Sequence, residues 1–412
     1  MGAERTLYYA TNRKGSRNEP GRALNAQSSF GRQEFFGPHR SETLTYGSYC
    51  MNGGNKPTLE RLSGGDSIPV DDESDVLIFV HGFNCQFATD MDCLAELSEA
   101  LQNQNGISTE GSNRKFVSIL YSWPSMGSPF AYMQDECSAQ FSYTHFKEFL
   151  NGIRKRIADS SNIHIVAHSL GCQLIYRYLL DGEVSSTAQE SKKSSKVGTV
   201  IFSCPDLDYQ TVSIDIEREK LAKSIERGFI LVSDVASPLA LSRALHGYTR
   251  LGRPALPSSK SLFWGTFRTG SIANIVSTAA HAPEIIARRA ITRLASGFRD
   301  PDKVWQEENR HRGIEFSSNI KMYDFTIADK GEKRMGHTLC IPLIVSLLSN
   351  GCPPHDWSEE TIVKIPDEFV ECTLVPYARS KPYENDNHRL FNYQKLTPPV
   401  AASEVKVPGR RK

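Results

Sequence analysis

Short, nearly continuous runs of apolar residues alternate with helical patterns between residues 75 and 350. Strands that helices cover on both sides need such runs, because both of their faces are buried. A repeated strand–helix–strand order joins neighbouring strands through right-handed crossovers and gives a largely parallel sheet. The pattern therefore predicts an α/β fold, with a mostly parallel sheet flanked by helices. The predicted strands are Val76–Val80, Phe116–Tyr121, Ile163–Ala167, Val197–Phe202, Phe229–Val232 and Ile320–Thr326.

Segments before, within and after this alternating region do not follow it. The N-terminal segment holds strand-like runs at Leu7–Ala10 and Thr43–Tyr46, and we expect it to pack on the main domain. We expect residues 247–313 to form a helical insertion between the last two predicted strands, because this segment is far longer than an ordinary connection. The C-terminal segment is rich in proline, and we expect its end to be disordered. The predicted division is therefore 1–74, 75–350 and 351–412.

Composition excludes several classes of protein. A formal net charge of +1 over 412 residues gives no bias towards nucleic acid. The nine cysteines include no CxxC pair, which is typical of reduced thiols and predicts a cytoplasmic location. The sequence also shows no apolar run of the length that crosses a bilayer and no secretory signal at its start.

The strand predicted at Ile163–Ala167 runs directly into the sequence Ala-His-Ser-Leu-Gly, and a helical pattern follows. This small-x-Ser-x-small arrangement between a strand and a helix is typical of a nucleophile elbow. The turn needs small residues on either side of its serine, because larger side chains would collide with neighbouring backbone. It exposes the hydroxyl above the sheet, and the helix N-terminus favours negative charge there. We therefore predict that Ser169 is a nucleophile.

A second turn, His81–Asn84, follows the first strong strand. In serine hydrolases of this architecture such a turn supplies one backbone N–H of the oxyanion hole, and the residue after the nucleophile supplies another. The predicted donors are the N–H groups of Phe83 and Leu170. We interpret His81 as a structural histidine that hydrogen-bonds its own loop, and His168 as a neighbour of the nucleophile, not its base.

The general base should follow a late strand. His337 lies after the last predicted strand and just before a helical pattern. Its position also fits the chain order nucleophile, acid, histidine that is usual in this architecture. We therefore predict that His337 accepts the proton of Ser169.

A series of motifs gives the chain a resemblance to a known group. LYYATNR, TYG, FVHGFN, SWPSMGSPFAYMQDE, VAHSLG, CPDLD, ALSRALHG and MGH occur here in this order. The same series is found in a mostly bacterial group of α/β hydrolases catalogued as a domain of unknown function. The resemblance covers roughly residues 5–250 and 315–350. It implies the α/β-hydrolase fold, a nucleophile at Ser169 and a base at His337, but it names no substrate.

The chain departs from this resemblance at the acid. The group's acid position falls near Ala236, which cannot hold the imidazole. Asp234 is the nearest carboxylate and lies just after a predicted strand, so we predict it as the acid. Asp206, in CPDLD after the preceding strand, stays open as the alternative acid. Either carboxylate would accept the imidazole Nδ1–H and fix its tautomer.

The insertion offers three interpretations. As a cap, it would use Phe263, Trp264 and Phe267 to line an acyl pocket. As a peripheral membrane contact through residues 260–293, it would place these rings in the interface beside Arg288, Arg289 and Arg293. The simplest interpretation, which we favour, is a helical addition that buries its aromatic rings against the core.

Taken together, the residues predict a serine hydrolase that cleaves a small-molecule or lipid-like ester or thioester through an acyl-enzyme. The alternatives are a catalytically silent scaffold used for binding, and a lipase or acyltransferase that acts at a membrane. Cys352 and His355 lack further ligands at usable spacing, and no phosphate-binding glycine loop is present. We therefore expect neither a metal nor a cofactor, and no nucleic-acid partner.

Overall fold

The computed structural model describes the sheet, most of its helices and the turns between them. The described residues are 5–15, 36–51, 58–103, 115–128, 131–157, 159–181, 196–212, 215–233, 236–246, 250–253, 313–315, 318–325, 339–354, 363–365, 368–370 and 394–395.

One large sheet of ten strands organises the described part of the chain. Seven neighbouring strands run parallel, and antiparallel strands extend both of its edges. Its strands, in chain order, are β1 (Arg5–Gly15), β2 (Phe36–Met51), β3 (Thr58–Leu62), β4 (Ser74–Val80), β5 (Lys115–Ser122), β6 (Ile163–His168), β7 (Val197–Ser203), β8 (Ile225–Val232), β10 (Ile320–Asp324) and β11 (Val363–Ile365). The order across the sheet is β11-β10-β8-β7-β6-β4-β5-β1-β2-β3. A small sheet joins β9 (Gly313–Glu315), β12 (Glu368–Val370) and β13 (Gln394–Lys395).

Helices cover both faces of the large sheet, as the apolar runs require. The helices are α1 (Phe87–Asn103), α2 (Tyr132–Arg156), α3 (Cys172–Leu180), α4 (Tyr209–Val212), α5 (Asp215–Ser224), α6 (Ser237–His246) and α7 (Ile341–Asn350). One hydrophobic cluster packs α2, α3 and α5 on one face, and a second packs α1, α6 and α7 on the other. The central strand β4 is buried along its whole length, because it has a helical layer on each side.

Five of the six predicted strands fall within observed ones, and the sixth, predicted at Ile320–Thr326, is longer than β10, which ends at Asp324. Strand β8 starts at Ile225, four residues before the predicted Phe229, because the polar pair Glu226-Arg227 interrupts the apolar pattern. That polar pair still belongs to the strand: the Arg227 Nε donates to Thr199 Oγ1 of β7 at 3.1 Å. Apolar periodicity alone therefore underestimated this strand.

The N-terminal segment contributes to the main sheet. Strand β1 lies parallel to β5, and β2 and β3 follow in antiparallel pairing, so the run at Thr43–Tyr46 lies inside a longer strand and not at the edge. The predicted insertion, residues 247–313, lies outside the described residues except for 250–253 and residue 313. Among the helices that the structure describes, none is long and apolar enough to cross a membrane.

Candidate active site

Ser169 occupies a sharp turn between β6 and α3. The turn is a single 3-10 turn, Ser169–Gly171, and α3 begins at the next residue. Ser169 has a φ of 51°, in the left-handed region that a residue with a side chain rarely adopts, and it is buried. Strain of this kind is retained where the surrounding structure holds it, and a strand–turn–helix serine is its usual setting in α/β hydrolases. The geometry agrees with the predicted nucleophile elbow.

Two glycines let this elbow pack against the His81–Cys85 turn. A Cβ added at Gly171 would lie 2.2 Å from the His81 carbonyl oxygen. A Cβ added at Gly82 would lie 2.8 Å from the Ser169 Cβ. The small residues predicted from the motif are therefore needed because the two turns are in backbone contact.

This contact gives a test of the elbow's packing. We expect Gly171→Ala to lower the free energy of unfolding by about 2–3 kcal/mol, because the methyl group must displace backbone atoms that cannot move aside. Gly152→Ala in α2 is the matched control, since a Cβ there meets no atom within 4 Å. We expect that change to be neutral or to stabilise α2 by up to about 1 kcal/mol. Chemical denaturation measures both values, and equal stabilities would contradict the packing described.

The His81–Cys85 turn is itself in an unusual conformation. Asn84 has a φ of 58°, so a second non-glycine residue in the left-handed region lies close to the nucleophile. The Phe83 ring packs on Tyr132 with 5.3 Å between ring centroids. The Phe83 N–H makes no hydrogen bond to another described residue. A backbone donor without an acceptor among the described residues, on a turn that touches the nucleophile, fits an oxyanion hole.

His81 is fully buried under this turn. Its Nδ1 lies 2.9 Å from the carbonyl oxygen of Gly82, which agrees with a histidine that hydrogen-bonds its own loop. The ring stacks on Trp123, whose indole N–H donates to the His81 carbonyl at 2.9 Å. Burial, with the nearby charge of Arg13, holds the pKa of His81 well below its ordinary value. The lowered pKa favours a neutral ring, whose Nε2 lies 3.0 Å from the Trp123 carbonyl oxygen and 3.3 Å from the Arg13 guanidinium.

His168 precedes the nucleophile and is only partly exposed to solvent. Burial lowers the pKa of His168 to about 4, because a charged imidazole would lose its hydration there. A base of so low a pKa accepts a proton from serine poorly at neutral pH. This agrees with the interpretation of His168 as a neighbour of the nucleophile.

Among the described residues, His81, Cys85 and Asp90 bring one nitrogen, one sulfur and one carboxylate oxygen within 4.8 Å of one another. Burial raises the pKa of Asp90 to about 8, although the charge of Arg13 opposes this change. The guanidinium of Arg13 lies 3.3 Å from His81 Nε2 and 4.0 Å from Asp90 Oδ2. Arginine stays protonated in proteins, so this cluster already contains a cation that would repel a metal ion. We therefore propose no metal there.

Asp206, the alternative acid, lies just beyond the end of β7, and both of its carboxylate oxygens have hydrogen-bond partners. Its Oδ2 accepts the Tyr132 hydroxyl at 2.6 Å, and its Oδ1 accepts the Ser242 hydroxyl at 2.7 Å. The same Oδ1 lies 3.1 Å from Arg250 Nε, which donates to Ser242 Oγ at 2.9 Å. Its backbone N–H donates to the carbonyl oxygen of Ser169 at 3.1 Å. Asp206 thus anchors the elbow through its backbone, while its carboxylate forms a buried ion pair with Arg250.

The other two predicted members of the triad, Asp234 and His337, lie outside the described residues. Asp234 comes two positions after the end of β8 at Val232. His337 lies between β10 and α7, four positions before Ile341. The sequence positions of both thus follow strands of the same parallel run that carries Ser169.

Sequence reasoning assigned no role to three polar residues beneath the His81–Cys85 turn. They are Arg13 of β1, Ser125 after β5 and Asp135 of α2, all buried and hydrogen-bonded to the turn or to one another. Each lies within a motif of the family resemblance, which was the available signal. Their chemistry could not be inferred, because they are far apart in sequence.

A cleft of about 330 Å³ opens between α2, α3 and residues 207–212. Gln173 and Arg250 are among the residues that line it, and the Gln173 amide donates to the Asp206 carbonyl at 3.1 Å. Ser169 does not line this cleft. We therefore do not place the acyl group of a substrate in it.

Comparison with known proteins found one matching family model and a similar solved structure. Residues 62–263 match the family described as alpha/beta hydrolase of unknown function (DUF900). No curated protein matches the chain. A solved structure from a structural analysis of two fungal esterases from Rhizomucor miehei is similar over 60% of this chain and 81% of that chain, with 11% identity and a TM-score of 0.24. The family match, together with the mostly parallel sheet flanked by helices, gives the chain the α/β-hydrolase fold, and residues 62–263 are similar to this family of α/β hydrolases of unknown function.

Proposed function

We propose that the chain is a serine hydrolase that cleaves an ester or thioester through a covalent acyl-enzyme, with Ser169 as its nucleophile. The observation that carries the proposal is the strained backbone of Ser169, with a φ of 51°, at a buried strand-to-helix turn. The turn lies in contact with a second turn that presents the Phe83 N–H. Strain of this kind costs about 1–3 kcal/mol and is typical of a site where it serves a function.

The proposed residues divide the reaction as follows. His337 takes the proton of the Ser169 hydroxyl while the serine oxygen bonds to the carbonyl carbon of the substrate. The N–H groups of Phe83 and Leu170 stabilise the tetrahedral oxyanion. His337 then gives the proton to the leaving alcohol or thiol as the carbonyl bond to it breaks. Water then attacks the acyl group, with His337 again accepting and returning a proton, and the carboxylic acid product leaves Ser169. Asp234 orients the imidazole in both steps.

The contacts of Asp206 support Asp234 as the acid. Two hydroxyl donors already bind the Asp206 carboxylate, which also forms an ion pair with the buried Arg250. A triad acid must accept the imidazole Nδ1–H in a fixed direction, which this arrangement leaves little room for. Asp206 would then have a structural role next to the nucleophile.

The proposed substrate is a small-molecule or lipid-like ester in the cytoplasm, and nucleic acid is not a proposed partner. Residues 247–313 would be an addition near the rim of the site. Whether Phe263, Trp264 and Phe267 select the acyl chain there, or contact a membrane, is decided by the chain-length preference of a triple alanine variant and by liposome binding of the parent protein.

Pre-steady-state hydrolysis of p-nitrophenyl acetate tests the proposal. We expect a burst of p-nitrophenol that approaches one equivalent per chain, followed by slower turnover, because acylation releases the phenol before water frees the enzyme. We expect His337→Ala to remove both phases, since the serine then lacks its base. A parent protein that shows neither burst nor turnover with short and long acyl esters would favour the silent scaffold.

A further inference from the structure

The His81–Cys85 turn, which carries the Phe83 N–H, is hydrogen-bonded to a buried carboxylate, that of Asp135 in α2. Asp135 on the first turns of α2 has no exposed surface. Its Oδ2 accepts the Asn84 backbone N–H at 3.1 Å and the Ser125 hydroxyl at 2.5 Å, and its Oδ1 accepts the Met126 N–H at 2.6 Å. All three contacts are donors, so the carboxylate joins the turn to the segment after β5.

Ser125 closes the same connection from the other side. Its hydroxyl oxygen accepts the Cys85 N–H at 3.0 Å while its proton goes to Asp135. Two successive N–H groups of the turn, those of Asn84 and Cys85, are therefore held by Asp135 and Ser125. These bonds fix the backbone immediately after Phe83, where Asn84 adopts its left-handed conformation.

Arg13 of β1 adds a third connection from beneath. Its guanidinium donates to the Ser125 carbonyl at 2.9 Å and to the Cys85 carbonyl at 3.2 Å. Its Nε donates to the Ser122 hydroxyl at 2.8 Å, which anchors it to the end of β5. A planar, rigid donor of this kind holds several acceptors in a fixed relation to one another.

We infer that Arg13, Ser125 and Asp135 are positioning residues that hold the His81–Cys85 turn, and with it the Phe83 N–H, against the Ser169 elbow. This inference rests on the proposed function for its catalytic meaning, because an oxyanion hole works only if its donors are fixed before the charge develops. A buried polar network that is fully bonded is suited to this task, since none of its members gains by moving.

Two variants and a control test it: Asp135→Asn, the milder Ser125→Ala, and Ser224→Ala. Ser224 is a buried serine at the end of α5, whose hydroxyl bonds the carbonyl oxygens of Leu179 and Lys220. Hydrogen exchange of the peptide that contains residues 82–86 is the first readout, and it needs no activity. We expect this peptide to exchange at least about tenfold faster in both variants and to be unchanged in the control.

Kinetics per titrated active site is the second readout. We expect kcat for p-nitrophenyl acetate to fall about 10- to 100-fold with KM little changed, because the donor is displaced, not deleted. The affinity for phenylboronic acid, which forms a tetrahedral adduct on an activated serine, should fall by the same factor. A purely structural role would lower only the fraction of active protein.

Exchange of residues 82–86 that is the same in all proteins would overturn the inference, whatever the activity. Faster exchange with parental kcat and boronate affinity would also overturn it. A parent protein without a burst would contradict the proposed function instead, and the exchange readout would still decide whether Asp135 and Ser125 hold the turn.

Discussion

Ser169→Ala should abolish labelling by a fluorophosphonate probe and reduce ester turnover to background, a loss of about 10⁶-fold in a comparable triad. Only a serine that is activated by a base and faces an oxyanion hole reacts quickly with this probe. The melting temperature should change little, because the substitution removes one buried hydroxyl and leaves the turn's backbone in place. Gel fluorescence measures the labelling, and differential scanning calorimetry measures the melting temperature.

Ser118→Ala is the matched control for this experiment. Ser118 of β5 is as buried as Ser169, but its hydroxyl donates to Ser98 Oγ at 2.9 Å and belongs to the core. Labelling of this variant should equal that of the parent protein. If Ser169→Ala keeps its labelling, the assignment of the nucleophile is wrong.

The second large effect separates the two candidate acids by opposite signatures. Asp234→Asn should lower turnover by up to about 10⁴-fold, because the amide favours the wrong imidazole tautomer. Asp206→Asn should instead lower the free energy of unfolding by about 3 kcal/mol, because it leaves the guanidinium of Arg250 buried without its counter-charge. Steady-state kinetics and urea denaturation of both variants measure the two effects.

The turnover of the two variants must be compared on folded protein, without denaturant and at a temperature well below the unfolding transition of each variant. Under these conditions Asp206→Asn should retain most of its turnover. The opposite pattern, an inactive and stable Asp206→Asn beside an active Asp234→Asn, would make Asp206 the triad acid.

Local patterns in the sequence predicted the fold and the sharp turn at Ser169 for clear physical reasons. Strands covered on both faces must be apolar throughout, so β4 and β6 could be read directly as continuous runs. The elbow could also be predicted from the sequence, because the backbone contact at Gly171 requires a small residue at a fixed sequence position after Ser169. Both signals arise from constraints on adjacent residues.

The polar network beneath the turn could not be predicted, because its members come from distant parts of the chain. Arg13 lies on the first strand, whereas Asp135 lies on a helix that follows the fifth. Neither residue has an apolar period or a local motif that shows its partner. Strand β1 beside β5 brings Arg13 to Ser125, and only the topology of the sheet shows this.

The distinction between the candidate acids had the same limit. Asp206 and Asp234 both follow parallel strands, so position in the sequence supports either. What separates them is the ion pair of Asp206 with Arg250, which forms across 44 positions of chain. A carboxylate that already has a partner is visible only when the chain is folded.

The most direct test of the central claim is the mass of the protein quenched during the burst with p-nitrophenyl acetate, with the adduct then located by peptide mapping. We predict one acetyl group per chain on the peptide that contains Ser169, and none when Ser169 is replaced by alanine. Ester turnover without an adduct, or an adduct at another residue, would contradict it.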